Sequence, residues 1–259
     1  MVIKKISSPE NSFYKELKKL YQDSAFRRKN GMFIVEGEKL VFELIADNWP
    51  LKYLVVSESY WQAKKIDDDG VKLVVLTDQL FNKISELVTP PGILAVACMK
   101  SLSWPAGKDG AFLVLDGLQD PGNVGTLLRA AFGFGVSGVI LLPPAVDIYN
   151  PKVLRASAGT AFKFPVLRME ADELKDIILK NNIPLFLAES EGGIPLTSIN
   201  FPAKFFVAVG NEGQGISTTL KSLPHQKISI PMPGKIESLN AALAGGIIIY
   251  EWAKNRYNL

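Results

Sequence analysis

Three polar clusters set in apolar surroundings are the residues of this chain best placed to do chemistry. The run Val209-Gly210-Asn211-Glu212-Gly213-Gln214-Gly215 carries three glycines in six positions, so main chain there can approach a ligand closely or take positive φ at no steric cost. A carboxylate, Glu212, sits in its middle. The run Ile230-Pro231-Met232-Pro233-Gly234 joins two fixed φ angles to one permissive residue and predicts a stiff, sharp loop leading into Ser238-Leu239-Asn240. From Ala241 to Gly246 the chain is almost bare of side chains, which lets neighbouring backbone come close. Upstream, the apolar run Ala111 to Leu115 ends in polar residues from Asp116 to Gly125, and open α/β sheets build their sites just past strand ends. Between Asp120 and Asp147 the one ionisable side chain is Arg129. A guanidinium in such company either reaches water or is held by partners for a purpose.

Elements that could position these residues follow from periodicity. Ser8-Pro9-Glu10 predicts a helix start, with Phe13, Leu17, Leu20 and Tyr21 at helical spacing. Apolar runs at Met32 to Val35, Leu51 to Val56, Val71 to Leu76 and Ile93 to Met99 read as strands, with helices over Glu38 to Ala46, near Asp78 to Glu86 and in between. Residues 1 to 100 therefore predict a small α/β domain, Lys100 to Gly110 an exposed connection, and 111 to 259 a mostly parallel sheet with helices on both faces. In this second part a helix is expected over Thr126 to Phe134, strands over Val139 to Leu142 and Phe205 to Val209, and a long C-terminal helix. Gly133-Phe134-Gly135-Val136-Ser137-Gly138 fits the dinucleotide fingerprint G-x-G-x-x-G, but it closes a helix and opens a strand, the reverse of what that motif requires.

Composition narrows the classes. The chain has 259 residues, 47% hydrophobic and 21% charged, and no apolar run long enough to span a bilayer. The start, Met1-Val2-Ile3-Lys4-Lys5, lacks the apolar stretch of a secretory leader, so a cytoplasmic protein is expected. Cys98 and His225 are single, which excludes a disulfide framework and a Cys/His zinc site within one chain; Cys98 reads as a core residue and His225 as a loop residue. Net charge is only +3, yet residues 1 to 29 hold eight Lys/Arg against three acids, a local +5 suited to phosphates or to a solvated helix face.

Asn123-x-Gly125-x-x-x-Arg129, then Gly210-x-Glu212-x-x-Gly215, then Ile230-Pro231-Met232-x-Gly234 with Ser238-Leu239-Asn240, resemble the three motifs of the SpoU family. These are S-adenosylmethionine-dependent RNA ribose 2′-O-methyltransferases of the SPOUT superfamily. Arg155-Ala-Ser157-Ala-Gly159-Thr160-Ala-Phe162 with Pro165 is similar to the segment linking the motifs, and Ala241-Ala242 replaces a common Val-Ser. Arg27-Arg28-Lys29 with Phe33-Ile34-Val35-Glu36-Gly37 resembles the start of a substrate-binding domain of ribosomal-protein type. The resemblance implies a deep C-terminal trefoil knot, a homodimer through the C-terminal helix, and RNA as partner, ribosomal RNA ahead of transfer RNA. It assigns Asn123, Arg129, Glu212, Ser238 and Asn240 to the methyl-transfer centre, and Val209, Gly210, Ile230, Met232 and Leu239 to the cofactor. Gly210, Ile230 and Leu239 would hold the adenosine, Arg27, Arg28 and Lys29 would meet RNA, and no metal is required. A non-catalytic RNA-binding protein of the same fold, or an enzyme that methylates a base, are the rival readings.

Overall fold

β-Branched apolar runs alternating with capped amphipathic segments build two separate α/β units. The computed structural model describes residues 4–64, 70–234 and 238–259. One unit comprises the chain up to Ser101 together with Tyr149–Leu154; the other comprises Leu102–Ile148 and Arg155–Leu259. Met1 to Ile3, on which the expectation about a leader rested, lie outside the described residues.

The first unit runs β1 (Lys4–Ile6), α1 (Ser12–Gln22), α2 (Ser24–Asn30), β2 (Met32–Glu36), α3 (Glu38–Ala46), β3 (Leu51–Ser57), α4 (Glu58–Ala63), β4 (Lys72–Leu76), α5 (Asp78–Ile84) and β5 (Ile93–Cys98). Its sheet has the order β1-β4-β3-β5-β2, with β1, β4 and β3 parallel and β5 antiparallel to both its neighbours. Alternate residues serve opposite faces. Ile34, Val55, Val74 and Leu94 meet Phe13, Tyr14, Leu17, Leu20 and Tyr21 of α1, while Leu54, Val56, Leu73 and Val75 pack with Val41 of α3.

Two expectations are corrected here. Helix α1 is capped by Asn11, whose side chain accepts the Phe13 N–H at 3.0 Å, and not by Ser8. Ser8 closes the preceding turn, its hydroxyl accepting the Glu10 N–H and its carbonyl the Asn11 N–H, both at 3.2 Å. Cys98, expected in the core, is half-buried at the end of β5.

Arg27 is a third correction. Its side chain is 2% exposed, and Nη1 donates to the carbonyls of Leu20 at 2.8 Å and Tyr21 at 2.9 Å. Those carbonyls belong to the last turn of α1, where no intrahelical donor is left. The guanidinium therefore closes a helix end from inside the fold, whereas Arg28 and Lys29 are exposed.

The second unit runs β6 (Gly110–Asp116), α6 (Pro121–Gly133), β7 (Gly138–Leu142), the end of α7 (Pro151–Ala156), whose Pro151–Leu154 belong to the first unit, β8 (Val166–Arg168), α8 (Ala171–Asn181), β9 (Leu185–Ala188), β10 (Ile194–Pro195), β11 (Lys204–Gly210), α9 (Thr218–Lys221), β12 (Gln226–Ser229) and α10 (Ala241–Tyr257). Seven strands in the order β10-β12-β9-β11-β6-β7-β8 pair in parallel throughout. The central runs Ala111–Leu115 and Phe205–Val209 are wholly buried, as strands covered on both faces must be. Leu174 and Ile178 of α8 and Leu220 of α9 pack with Phe112, Val114 and Phe206 on one face. On the other, Trp252 of α10 meets Phe205 edge-on, with 6.1 Å between ring centroids.

Helix α6 begins at Pro121, five residues before the expected Thr126. The cause is Asp120, whose carboxylate accepts the Asn123 N–H at 2.7 Å, followed by proline at the first helical position. Asn123 consequently lies in the first turn of a helix and not in a loop. The glycine triplet after α6 is a stop and turn, with Gly135 at φ +73° before β7.

Arg27→Ala is expected to lower stability by about 1–3 kcal/mol, the cost of stranding buried polar groups, while Arg28→Ala stays within about 0.5 kcal/mol. Urea unfolding of both variants checks this; equal midpoints would show that Arg27 is not needed by the fold.

Candidate active site

Strands β6, β11 and β9 end side by side, and the chain turns from one flank of the sheet to the other there, the position where open parallel sheets form crevices. The glycine loop after β11 is pinned to that edge. Asn211 Nδ2 donates to the Gly117 carbonyl at 3.0 Å, and its Oδ1 accepts the N–H groups of Gly213 at 2.9 Å and Gln214 at 3.1 Å. Asp116, 4% exposed, accepts the Ser217 N–H at 2.7 Å. The loop then folds back on its own start: a Cβ on Gly210 would stand 2.3 Å from the Gly215 carbonyl carbon and 2.5 Å from the Ile216 nitrogen. Only glycine fits there.

One side chain from each polar cluster joins a single relay. Asn123 Nδ2 donates to Glu212 Oε1, and Asn240 Nδ2 donates to Asn123 Oδ1 at 3.0 Å. Asn240 Oδ1 in turn caps α10 by accepting the N–H groups of Ala242 at 2.9 Å and Leu243 at 3.2 Å. The amide orientations are therefore mutually fixed, and a carboxylate stands at one end of the line.

Beside the relay lies a cavity of about 280 Å³. Val209, Gly210, Ile230, Met232 and Leu239 all line it, together with Glu212 and Ser238. Ala241 and Ala244 supply the wall from α10, and Gly245 lets that helix approach, since a Cβ there would stand 2.5 Å from Leu127 Cδ2. Ala242, by contrast, borders a second, open groove of about 490 Å³ between α6 and α10, which Asn123 and Asn240 also line. Residues 235–237, just before Ser238, lie outside the described residues.

Arg129 is not brought to this cluster within the chain. Six residues from Asn123, it projects about 120° away around α6. It is exposed, lines neither cavity, and makes no ion pair with Asp116 or Asp120. His225 bonds only locally, Nδ1 to the Leu223 carbonyl at 2.7 Å.

The sequence reading missed two charged residues of the cavity wall, Glu189 just past β9 and Lys221 at the end of α9. Glu189 Oε2 accepts from Lys227 Nζ at 2.9 Å, and Lys221 Nζ lies 3.1 Å from Oε1. The Lys221 contact is an ion pair whose geometry still leaves the buried Oε1 without a hydrogen bond. Burial pushes this carboxyl's pKa up, but the Lys227 hydrogen bond and the two neighbouring lysine charges outweigh it and hold the pKa below the ordinary glutamate value. An acid after an apolar run was the available signal; its place in the wall depends on sheet order.

Residues 110–250 match the family model described as SpoU rRNA Methylase family, and residues 11–95 that of an MRM3-like substrate binding domain. The chain belongs to the SpoU rRNA methylase family. Among relatives of this family, it is 30% identical to the 23S rRNA (guanosine(2553)-2'-O)-methyltransferase RlmP of Bacillus subtilis, over 96% of this chain and 98% of that one. It is 27% identical to a 23S rRNA (uridine(2479)-2'-O)-methyltransferase of Streptomyces viridochromogenes, over 95% and 91%. An AdoMet-bound rRNA methyltransferase from Sinorhizobium meliloti superposes with a TM-score of 0.86 at 25% identity, covering 98% of each chain. The SpoU methyltransferase AviRb from Streptomyces viridochromogenes, in complex with AdoMet, superposes with the same score and identity over 96% of this chain and 99% of that one.

Gly210→Ala is expected to cost about 1–3 kcal/mol through overpacking against backbone that cannot retreat. Gly213→Ala, which would meet only Asn211 Oδ1 at 3.5 Å, is expected to be near neutral. Comparing their urea midpoints tests the fold-back of the loop.

Proposed function

We propose that this chain transfers a methyl group from S-adenosylmethionine to a ribose 2′-hydroxyl of structured RNA, ribosomal RNA foremost. The relay Asn240–Asn123–Glu212, whose carboxylate lines the cavity, carries the reading, because it gathers the polar members of three separate motifs at one point. The cavity suits the cofactor: its apolar walls and exposed main chain at Gly210 match an adenosine, and its volume stands at the low end of ligand pockets, roughly 300 Å³ upward. Val209, Gly210, Ile230, Met232 and Leu239 would hold it. Bound there, the cofactor supplies an electrophilic methyl on a sulfonium.

The remaining work falls to the protein. A ribose hydroxyl is a poor nucleophile at neutral pH, so its proton must leave or its developing oxyanion must be stabilised. Glu212, its orientation set by Asn123, and Ser238 line the place where the hydroxyl must arrive. Arg129 is no base, since a guanidinium with a pKa above about 12 keeps its proton. Nor does it reach this cavity within one chain. Its role in this reading, to hold the ribose-phosphate and stabilise the oxyanion while the proton departs through a phosphate oxygen, therefore falls to the Arg129 of a second protomer in the proposed homodimer.

Recruitment is assigned to residues 1 to 100, supported by the match to a substrate-binding domain and by exposed Arg28 and Lys29 near Lys15, Lys18 and Lys19. Leu243 and Tyr250 on α10, 53% and 45% exposed, line the open groove between α6 and α10, an apolar surface that supports a homodimer through this region. A knot is part of this reading; it is supported by β12 sitting beyond β9 in the sheet while α10 packs against α6 and β11. No helix among the described residues is long and apolar enough to cross a membrane, and a cytoplasmic site of action follows from the proposed substrate.

The test is methylation of ribosomal and transfer RNA followed by digestion to nucleosides: 2′-O-methyl product on ribosomal RNA is expected, and base methylation or none would overturn the reading. Arg129→Lys and Arg129→Ala are both expected to lose about 100-fold or more in turnover, the scale of one lost oxyanion donor, with cofactor affinity and unfolding unchanged. Near-normal transfer by a folded Arg129→Ala enzyme would remove Arg129 from the mechanism.

A further inference from the structure

The cavity has two charged poles separated by β11. Glu212, held by Asn123, is one, on the flank where β11 meets β6; Glu189 and Lys221 form the other, on the flank of β9 and β12. The first pole belongs to the transfer chemistry. The second has no part in it.

We propose that Glu189 is a specificity-determining residue of this cavity, its carboxylate accepting hydrogen bonds from the vicinal ribose hydroxyls of an adenosine-bearing ligand. This rests on the reading of the cavity as the S-adenosylmethionine site. An ionised carboxylate only accepts hydrogen bonds, and the buried Oε1 makes none, although Lys221 Nζ pairs with it at 3.1 Å. Such an atom is costly to leave unmatched, so a ligand that brings O–H donors is favoured there. A carboxylate just past a parallel strand that grips ribose hydroxyls is also how dinucleotide-binding sheets recognise a nucleoside.

Charge decides between the possible donors. Lys227 and Lys221 already stand at 2.9 and 3.1 Å from the two oxygens of Glu189. The α-ammonium of the cofactor's amino-acid end would be a third cation around one carboxylate, opposed by like-charge repulsion. A ribose diol adds two donors and no charge. Lys221 stands beside Oε1 with its side chain 42% exposed, which leaves it room to move aside for the diol.

The experiment is calorimetric titration of the full chain with S-adenosylhomocysteine, with 5′-methylthioadenosine, which lacks the amino-acid end, and with the 2′,3′-dideoxy form of 5′-methylthioadenosine. Glu189→Ala is expected to weaken the first two alike, by about 10-fold or more, the scale of hydrogen bonds to a charged group, and to leave the dideoxy compound's weaker binding unchanged. Glu189→Gln, which keeps the shape and one acceptor, should fall between and serves alone if the alanine variant does not fold. A loss confined to S-adenosylhomocysteine would assign Glu189 to the amino-acid end and overturn the proposal. So would no loss, or an equal loss for the dideoxy compound, since Glu189 would then only pair its lysines. If the unaltered protein bound none of the three, the cofactor reading itself would fall, and this proposal with it.

Discussion

The parallel ladder between β6 and β11 is the constraint on which the catalytic unit depends. Seven consecutive residues pair in register, from Gly110 with Lys204 to Asp116 with Gly210, and both strands are buried on both faces. Pairing fixes where each strand stops, so Asp116 and Gly210 end abreast. The loops that follow are thereby forced to share one edge, and Asp116 and Asn211 tie them together with hydrogen bonds to main chain. Burial of two apolar strands thus sets the position of polar residues that contribute nothing to the core.

Above that edge, division of labour follows the type of contact. Apolar walls and bare main chain give a cavity with little orientation of its own, while a few charged or amide side chains supply direction. Glu212 is anchored by an amide line, whereas Glu189 is anchored by two lysines. The first anchoring leaves a carboxylate with neutral neighbours and the second surrounds one with cations. The two acids of one cavity are therefore chemically unlike.

Much of this was legible in the sequence where signals were long and redundant. Runs such as Met32–Glu36 and Ile93–Cys98 declared themselves within a residue, because an unbroken apolar run bounded by turn residues has few other uses. Short elements did not: β1 and β10 have three and two residues and give no period. Asp120-Pro121 was hidden inside a stretch rich in glycine and asparagine, although it is a good helix start. The helix Ala171–Asn181 carried a capping box at Glu170 and Glu173 but lies where no motif drew attention. Arg27 was misjudged because a cationic triplet looks the same whether its members face water or the last carbonyls of a helix. Glu189 was out of reach for a topological reason: β9 stands next to β11 only through a crossover that no local pattern encodes.

Asn240 holds two posts at once. Its amide nitrogen completes the relay to Asn123, and its amide oxygen closes the first turn of α10. Genetic variation at this codon is consequently pleiotropic: a substitution alters helix integrity and site alignment together. Selection for either property keeps the same side chain, and a second-site suppressor that restored the helix alone would leave the alignment broken.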